Sequence, residues 1–352
     1  MASLCHRADL AGDEIRAERR SSCGICGSIG LPLYGDLTDD FFGAAGRWNF
    51  SRCARPQCGM LWLNPMPHSD DIWKAYRNYY THDERITPTT TSALRRLRQA
   101  IKRGYIGVHL GHSGRTISIG ERALGMLAWL DPTRRADTDF PLKYLPLETR
   151  GRLLDVGCGR GALLATMESF GWRAQGIDVD PVVVAAARRD GLDVHAGSLP
   201  EHEFPDASFD AIVMSHLIEH VHHPLEVLKE ARRILKPGRR LVLATPNAAS
   251  LGHRFWRVNW PFLDPPRHLQ LFTPRALKQL ALAAGFEDVR VGTEVRTAAA
   301  MPSLLRSRRL RTNTSATSRT MRIAGRLLAY GEELALRFDR EAGEEIALVA
   351  VR

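Results

Sequence analysis

The sequence predicts an α/β protein whose parallel strands are covered by helices on both faces, with ligands bound at the carboxyl ends of the strands. Three observations lead there. The apolar run Leu153-Leu154-Asp155-Val156 enters the alternating glycines Gly157, Gly159 and Gly161 and continues into a helix-compatible Ala162-Leu163-Leu164. Short apolar segments then alternate with helical ones across residues 150–300. The helices also carry their own punctuation: Asp180-Pro181 places a cap and then a proline at the first helical position, and Gly191 closes that helix.

The glycine loop sets the chemistry. Glycines without Cβ let the backbone approach a ligand closely, and N–H groups at the start of the following helix offer donors to an acidic group. A carboxylate-bearing nucleotide fits such a loop. The spacing is G-x-G-x-G rather than G-x-G-x-x-G, and Asp155 stands where a nicotinamide-binding strand carries an apolar residue.

The following elements come in order. Gly176-Ile177-Asp178-Val179-Asp180 ends a second strand and puts Asp178 about 20 residues beyond the glycines, the separation at which an acid reaches ribose hydroxyls. Ala196-Gly197-Ser198-Leu199-Pro200 follows a third strand, and Phe209 to His216 reads as the fourth. Pro224 and Gly238 bracket a helix in which Leu225, Leu228, Ala231 and Leu235 recur at helical spacing opposite Glu226, Lys229, Glu230, Arg232 and Arg233. Leu235-Lys236-Pro237-Gly238 precedes a fifth strand.

These motifs, in this order, resemble those of the class I S-adenosylmethionine-dependent methyltransferases. The resemblance implies a Rossmann-like seven-stranded sheet with helices on both faces, Phe286 to Val295 and Glu345 to Val351 being its sixth and seventh strands and the last running antiparallel. It implies S-adenosylmethionine as cofactor, held by Asp155, Gly157, Cys158, Gly159 and Gly161, by Asp178 and Val179 at the ribose, by Ser198 and Leu199 at the adenine, and by Ser215. The family usually has Asp where this chain has Ser198, whose hydroxyl can still accept a hydrogen bond.

Upstream, Cys23-Gly24-Ile25-Cys26 and the pair Cys53 and Cys58 have the spacing of two knuckles that bite one tetrahedral zinc. Structural zinc is worth roughly 10–16 kcal/mol in zinc-finger peptides, enough to fold a segment too small for its own core. The competing reading is a degenerate knuckle, because the second pair has a longer, Pro-containing spacer. Cys158 fills a position between glycines that wants a small side chain, and no redox role is expected of it. Asn64-Pro65-Met66-Pro67, with Trp73, Tyr76, Tyr79 and Tyr80 beyond it, resembles bacterial methyltransferases with an N-terminal zinc ribbon, many of which act on sugars or other small metabolites. Those aromatics either line an acceptor pocket or pack a helix on the core.

Three histidines are catalytic candidates. His216-Leu217-Ile218-Glu219-His220 has the H-x-x-E-H form of some zinc proteases, but here it ends a strand after three cofactor motifs. The resemblance places His216 beside the methyl donor, and a structural role for His216 and His220 competes evenly. His268, in the loop Pro261 to Pro274 after the fifth strand, is the preferred base, since an in-line methyl transfer needs a positioned and often deprotonated acceptor. Its competing role is to cap the helix beginning near Thr273-Pro274. Arg267 beside it is a candidate ligand for substrate phosphate.

The rest is less specific. Ala123 to Leu130 suggests a helix and Asp131-Pro132 to Asp139 a linker. Arg95, Arg96, Arg98, Lys102 and Arg103 interleave with Leu94, Leu97 and Ile101 in an amphipathic pattern whose default partner is water. Arg306, Arg308, Arg309, Arg311, Arg319, Arg322 and Arg326 read as a solvated insertion able to meet nucleotide-sugar phosphates, anionic lipid or RNA. The 352 residues, 44% of them hydrophobic, suffice for a sizeable core, and the net charge of +10 lies largely in arginine clusters. No apolar run approaches the roughly 18 residues of a bilayer span, and no signal-peptide core is evident, so a soluble, cytoplasmic protein without membrane insertion is expected. The expected organisation is a flexible 1–20, a zinc-ribbon-like 21–64, a helical cap or linker over 65–147, a cofactor-binding core over 148–296, and an Arg-rich insertion, helix and final strand over 297–352. The expected activity is methyl transfer to a small-molecule acceptor, with a sugar or glycan-linked group, phosphorylated or nucleotide-linked, as the preferred class. RNA methylation and a non-catalytic binding module are the alternatives.

Overall fold

The structure, a computed structural model, describes residues 14–77, 92–111, 118–145, 150–310 and 319–352. Its N-terminal part holds strands β1 (Ala17–Glu18), β2 (Gly30–Leu37), β3 (Trp48–Cys53), β4 (Leu61–Leu63) and β5 (Met66–Pro67). Helices α1 (Ser92–His109), α2 (Ile119–Gly125) and α3 (Pro132–Asp139) follow. The cofactor-type alternation then runs β6 (Arg152–Val156), α4 (Ala162–Ser169), β7 (Arg173–Asp178), α5 (Pro181–Arg189), β8 (Val194–Ala196), β9 (Phe209–Ser215), α6 (Pro224–Ile234) and β10 (Leu235–Pro246). It closes with α7 (Leu251–Trp256), β11 (Gln270–Leu271), α8 (Pro274–Ala283), β12 (Glu287–Glu294), α9 (Met301–Leu310), α10 (Arg319–Ala335) and β13 (Glu345–Val351).

Seven strands form the main sheet in the order β12-β13-β10-β9-β6-β7-β8, with β13 antiparallel to both neighbours and the others parallel. The order reverses between β6 and β9, which opens a crevice at the carboxyl ends of the strands for a ligand. Strands covered on both faces read as continuous apolar runs, and Leu153, Leu154, Ile212, Val213, Leu241 and Leu243 are all fully buried. Each such side chain contributes about 1.5–3 kcal/mol by leaving water.

Local chemistry sets the helix starts. Asp180 Oδ1 accepts from Val182 N–H at 2.9 Å and opens α5, and the Thr273 hydroxyl accepts from Ala276 N–H at 3.1 Å and opens α8. Asp131 does the same for α3, accepting from Arg134 N–H with Pro132 in the first turn, so the stretch read as a linker is a helix. Gly238 does not close α6. The helix ends at Ile234, and β10 begins at once at Leu235 with a register shift before Arg240. The first part of the arginine-rich insertion is helical, α9, rather than a loop, and α10 is the helix expected before the last strand; residues 311–318 lie outside the described set.

The N-terminal strands join the core directly. A second sheet runs β11-β4-β3-β2, with Gln270 and Leu271, from the loop after β10, pairing antiparallel with Trp62 and Leu61. Phe50, Leu61 and Trp62 share one buried cluster with Trp260, Leu271 and Phe272. Arg267 fastens the same junction: its guanidinium is fully buried between Asp39, at 2.7 and 2.9 Å, and Asp264, at 2.6 and 3.0 Å. It is thus unavailable to a substrate phosphate. Among the described residues, no helix is long and apolar enough to cross a membrane.

Candidate active site

Two carboxylates face the crevice from adjacent strands. β6 and β7 run in parallel register with Asp155 opposite Gly176 and Val156 opposite Ile177. Asp155 is buried, and burial followed by the charge of Asp178 pushes its carboxyl up to about 7. Among the described residues it has no hydrogen bond or ion pair. Asp178 is fixed by backbone: Gly159 N–H donates to Oδ2 at 2.8 Å and Asp180 N–H to Oδ1 at 2.9 Å. Burial raises the Asp178 carboxyl, and those two N–H donors pull against it. Among the described residues neither carboxylate has an ion-pair partner, and two such carboxylates favour a positively charged ligand.

The loop between them is built by glycine. Gly157 and Gly161 have φ of +75° and +76°, and a Cβ at Gly161 would lie 2.4 Å from Leu192 Cδ1. Gly157 and Cys158 N–H groups both donate to Ile177 O, tying the loop to β7. Cys158 turns its sulfur into the sheet, where a Cβ at Gly176 would lie 2.6 Å away, and burial pushes the thiol up. Val179 is exposed beside Asp178, Leu199 is buried, and Ser198 N–H donates to Glu201 Oε2 at 2.8 Å. The Glu201 carboxylate is therefore held against the Ser198 backbone in a capping box.

At the end of β9 lies a histidine and carboxylate cluster. His216 has φ of +53°, a left-handed backbone that costs a non-glycine residue on the order of 1–3 kcal/mol. Its Nε2 is 3.0 Å from Glu345 Oε2 and its Nδ1 is 3.3 Å from Glu219 Oε1. Burial opposes charge on this ring, but the two carboxylates outweigh burial and hold it up to about 9. With Nε2 committed to Glu345, Arg296, which also binds Glu345 at 2.7 Å, has the Ser215 hydroxyl as its acceptor at 3.2 Å. Hydrogen-bonded to Glu345 through Nε2 and ion-paired with Glu219 through Nδ1, an imidazolium has no lone pair to take a proton, which disfavours His216 as the base.

His220 and His268 differ from it. His220 Nδ1 lies 3.1 Å from Arg267 O and 2.9 Å from the Tyr76 hydroxyl, and His268 Nδ1 lies 2.7 Å from Phe262 O. A carbonyl only accepts, so each ring carries a proton on Nδ1, and the neutral form of each keeps its lone pair on Nε2. The rings meet edge to face at 4.7 Å, and burial followed by the neighbouring His268 lowers His220 to about 4. Burial penalises the charged form of Glu219, but the His216 contact wins and holds its carboxyl at about 2. Burial followed by Asp264, Glu219 and Asp178 raises the Tyr76 phenol against the opposing pull of Arg267. His268 does not cap α8, since Thr273 does.

Residues 132–291 match the family model for a methyltransferase domain. These residues carry a methyltransferase domain. The chain is 31% identical over 140 residues to a probable S-adenosylmethionine-dependent methyltransferase of Mycolicibacterium smegmatis, over 38% of this chain and 51% of that protein. It is 37% identical over 103 residues to a ubiquinone biosynthesis O-methyltransferase of Xanthomonas oryzae pv. oryzae, over 27% of this chain and 43% of that protein. The chain thus spans about half the length of these curated relatives. A solved S-adenosylmethionine-dependent methyltransferase from Archaeoglobus fulgidus superposes with a TM-score of 0.44 at 20% identity, over 66% of this chain and 99% of that one.

Outside the methyltransferase domain, the four cysteines expected at a metal converge. Cys23 Sγ is 3.7 Å from Cys58 Sγ and Cys26 Sγ is 3.4 Å from Cys53 Sγ, and all four sulfurs lie within 4.8 Å of one another. A tetrahedral zinc with bonds near 2.3 Å sets its sulfurs about 3.8 Å apart, so the set fits. The longer second spacer is absorbed by the turn Arg55 to Gly59, where Cys58 and Gly59 N–H groups both donate to Arg55 O. Of the aromatics, Tyr76 reaches the histidine cluster while Trp73 stacks under Arg77; Tyr79 and Tyr80 lie outside the described residues, as do Arg311 and the side chains of Arg95, Arg308, Arg309 and Arg319. Asp39, Glu201, Arg296 and Glu345 were not anticipated as contributors. Only Glu201, three residues beyond Ser198 in an S-x-x-E capping pattern, carried a local signal.

Proposed function

We propose that this chain transfers a methyl group from S-adenosylmethionine to a hydroxyl of a small-molecule acceptor. The observation that carries this is the Asp155–Asp178 pair: one buried and one half-buried carboxylate, neither ion-paired among the described residues, suit a ligand bearing sulfonium and ammonium charges. Gly159 and Asp178 hold the ribose end, and Glu201 offers an acceptor for the adenine amino group beside Ser198. The acceptor enters on the Tyr76, His220 and His268 side. Methyl moves in line: the S–CH₃ bond breaks, an O–CH₃ bond forms, S-adenosylhomocysteine leaves, and the hydroxyl proton passes to an imidazole Nε2. His268 is the preferred base, because its Nδ1–H is fixed on Phe262 O. The four cysteines would hold structural zinc, which would brace the β2–β4 sheet against the methyltransferase domain.

Relatives named for O-methylation in ubiquinone biosynthesis favour oxygen as the nucleophile. Sugars and glycan-linked hydroxyls remain the acceptor class to which the N-terminal motifs point. Incubating the full chain with a methyl-labelled donor and separate pools of nucleotide-linked sugars, phenols and RNA tests the reading by mass spectrometry. Label in a small hydroxylated acceptor supports it. Label confined to RNA, with binding that weakens steeply in salt, would replace it.

A further inference from the structure

The histidine cluster holds more than one lone pair. One oxygen of Glu219 and one ring nitrogen each of His220 and His268 lie within 4.8 Å of one another. Glu219 and His268 are buried. Both rings give Nδ1–H to backbone carbonyls, Arg267 O and Phe262 O, which leaves Nε2 of each neutral ring as the nitrogen open to a metal. Metal-bound histidines are typically oriented by such a bond from the other ring nitrogen. Glu219 is braced in the same manner: Oε2 accepts from the Thr245 hydroxyl at 2.8 Å. Its Oε1 faces His216 Nδ1 at 3.3 Å without forming a hydrogen bond, so it keeps a lone pair.

We propose that Glu219, His220 and His268 bind a divalent first-row transition ion at the acceptor end of the site, separate from the ion held by the cysteines. Two imidazoles and one carboxylate are the donor set of catalytic zinc and of other open divalent sites, which keep positions for substrate oxygen. Ligands bonded at about 2.1 Å stand roughly 3.0–3.4 Å apart, so a modest closure of the two rings completes the set. An acceptor hydroxyl bound there loses its proton to solvent water, and its oxygen takes the methyl as the sulfonium S–C bond breaks. The ion in this form replaces imidazole as the means of deprotonation. The binding site stands on the geometry alone; its role in acceptor ionisation rests on the proposed methyl transfer.

Metal analysis and cobalt(II) titration of the full chain test this. Wild type takes up two equivalents: one with intense thiolate-to-metal absorption, and one adding only the weak visible bands of nitrogen and oxygen ligation. His268→Ala and Glu219→Gln each lose the second equivalent, keep the first, and still bind S-adenosylmethionine, which shows that they fold. A chelator that removes only the second ion lowers methyl transfer at least tenfold, and zinc restores it. A single equivalent in folded wild type, or a second that survives both substitutions, overturns the proposal. Turnover unchanged after loss of the second ion would remove its catalytic role while leaving methyl transfer intact. Failure of donor binding with two ions still bound would instead overturn the functional reading.

Discussion

Replacing Asp155 by Asn should trade cofactor affinity for stability. The carboxyl moves from an ordinary 3.8 to about 7 because it is buried beside Asp178. At about 1.4 kcal/mol per tenfold in proton affinity, its ionised form carries roughly 4 kcal/mol of unfavourable burial and repulsion. A cationic ligand recovers part of that, since the ligand is itself desolvated. Taking one to two thirds gives about 1.4–2.8 kcal/mol, a tenfold to hundredfold loss of S-adenosylmethionine affinity in Asp155→Asn. The pH dependence has a definite sign. An acid with a raised folded pKa favours the folded state at low pH and loses that contribution as pH rises from the unfolded value through about 7. Wild type therefore loses stability between pH 4 and 7, whereas the cofactor binds more tightly as pH rises through 7 and Asp155 ionises. Asp155→Asn should remove both trends and melt higher at pH 8. Calorimetric titrations from pH 5.5 to 8.5, with thermal melts on the same samples, measure this. Affinity within threefold of wild type and an unchanged pH profile would refute the electrostatic account.

Arg267→Ala should cost about 3–5 kcal/mol in chemical denaturation by leaving Asp39 and Asp264 buried without a counter-charge, and a loss under 1 kcal/mol would contradict the buried bridge. Cys26→Ser should lower bound zinc by one equivalent per chain and loosen the β2–β4 sheet, seen as faster hydrogen exchange in residues 48–63; unchanged zinc content would exclude a four-cysteine site. Burial, then the charge of Glu344, holds Glu332 up to about 9, so its stabilising contribution is present below the ordinary carboxyl range and is lost as pH rises toward 9. Glu332→Gln should therefore flatten the melting temperature between pH 5 and 9, and a profile parallel to wild type would show the pair to be uncoupled.

What the sequence disclosed follows the range of the forces involved. The glycine loop, Asp178 and the Asp180 cap act over a few residues, so their pattern is legible, whereas the seven-stranded sheet came from the family resemblance. Asp131-Pro132 carries the same cap as Asp180-Pro181, yet α3 was read as a linker because Thr133, Arg134, Arg135, Asp137 and Thr138 gave it no apolar face. Arg267 was read as a phosphate ligand because its partner Asp39 lies 228 residues away. The pairing of β11 with β4 is likewise non-local, since two residues of strand carry no signal until the partner edge is known. His216 looked like a base by position, but its character is set by Glu345, on a strand far along the chain.

The central claim is that Asp155, the glycine loop and Asp178 form a pocket for the methyl donor. Titration calorimetry of the full chain with S-adenosylmethionine, beside Asp178→Ala of matched thermal stability, tests it most directly. The account predicts one site per chain in wild type and at least tenfold weaker binding in the variant. Absence of binding to well-folded wild type, or equal affinity in Asp178→Ala, would contradict it.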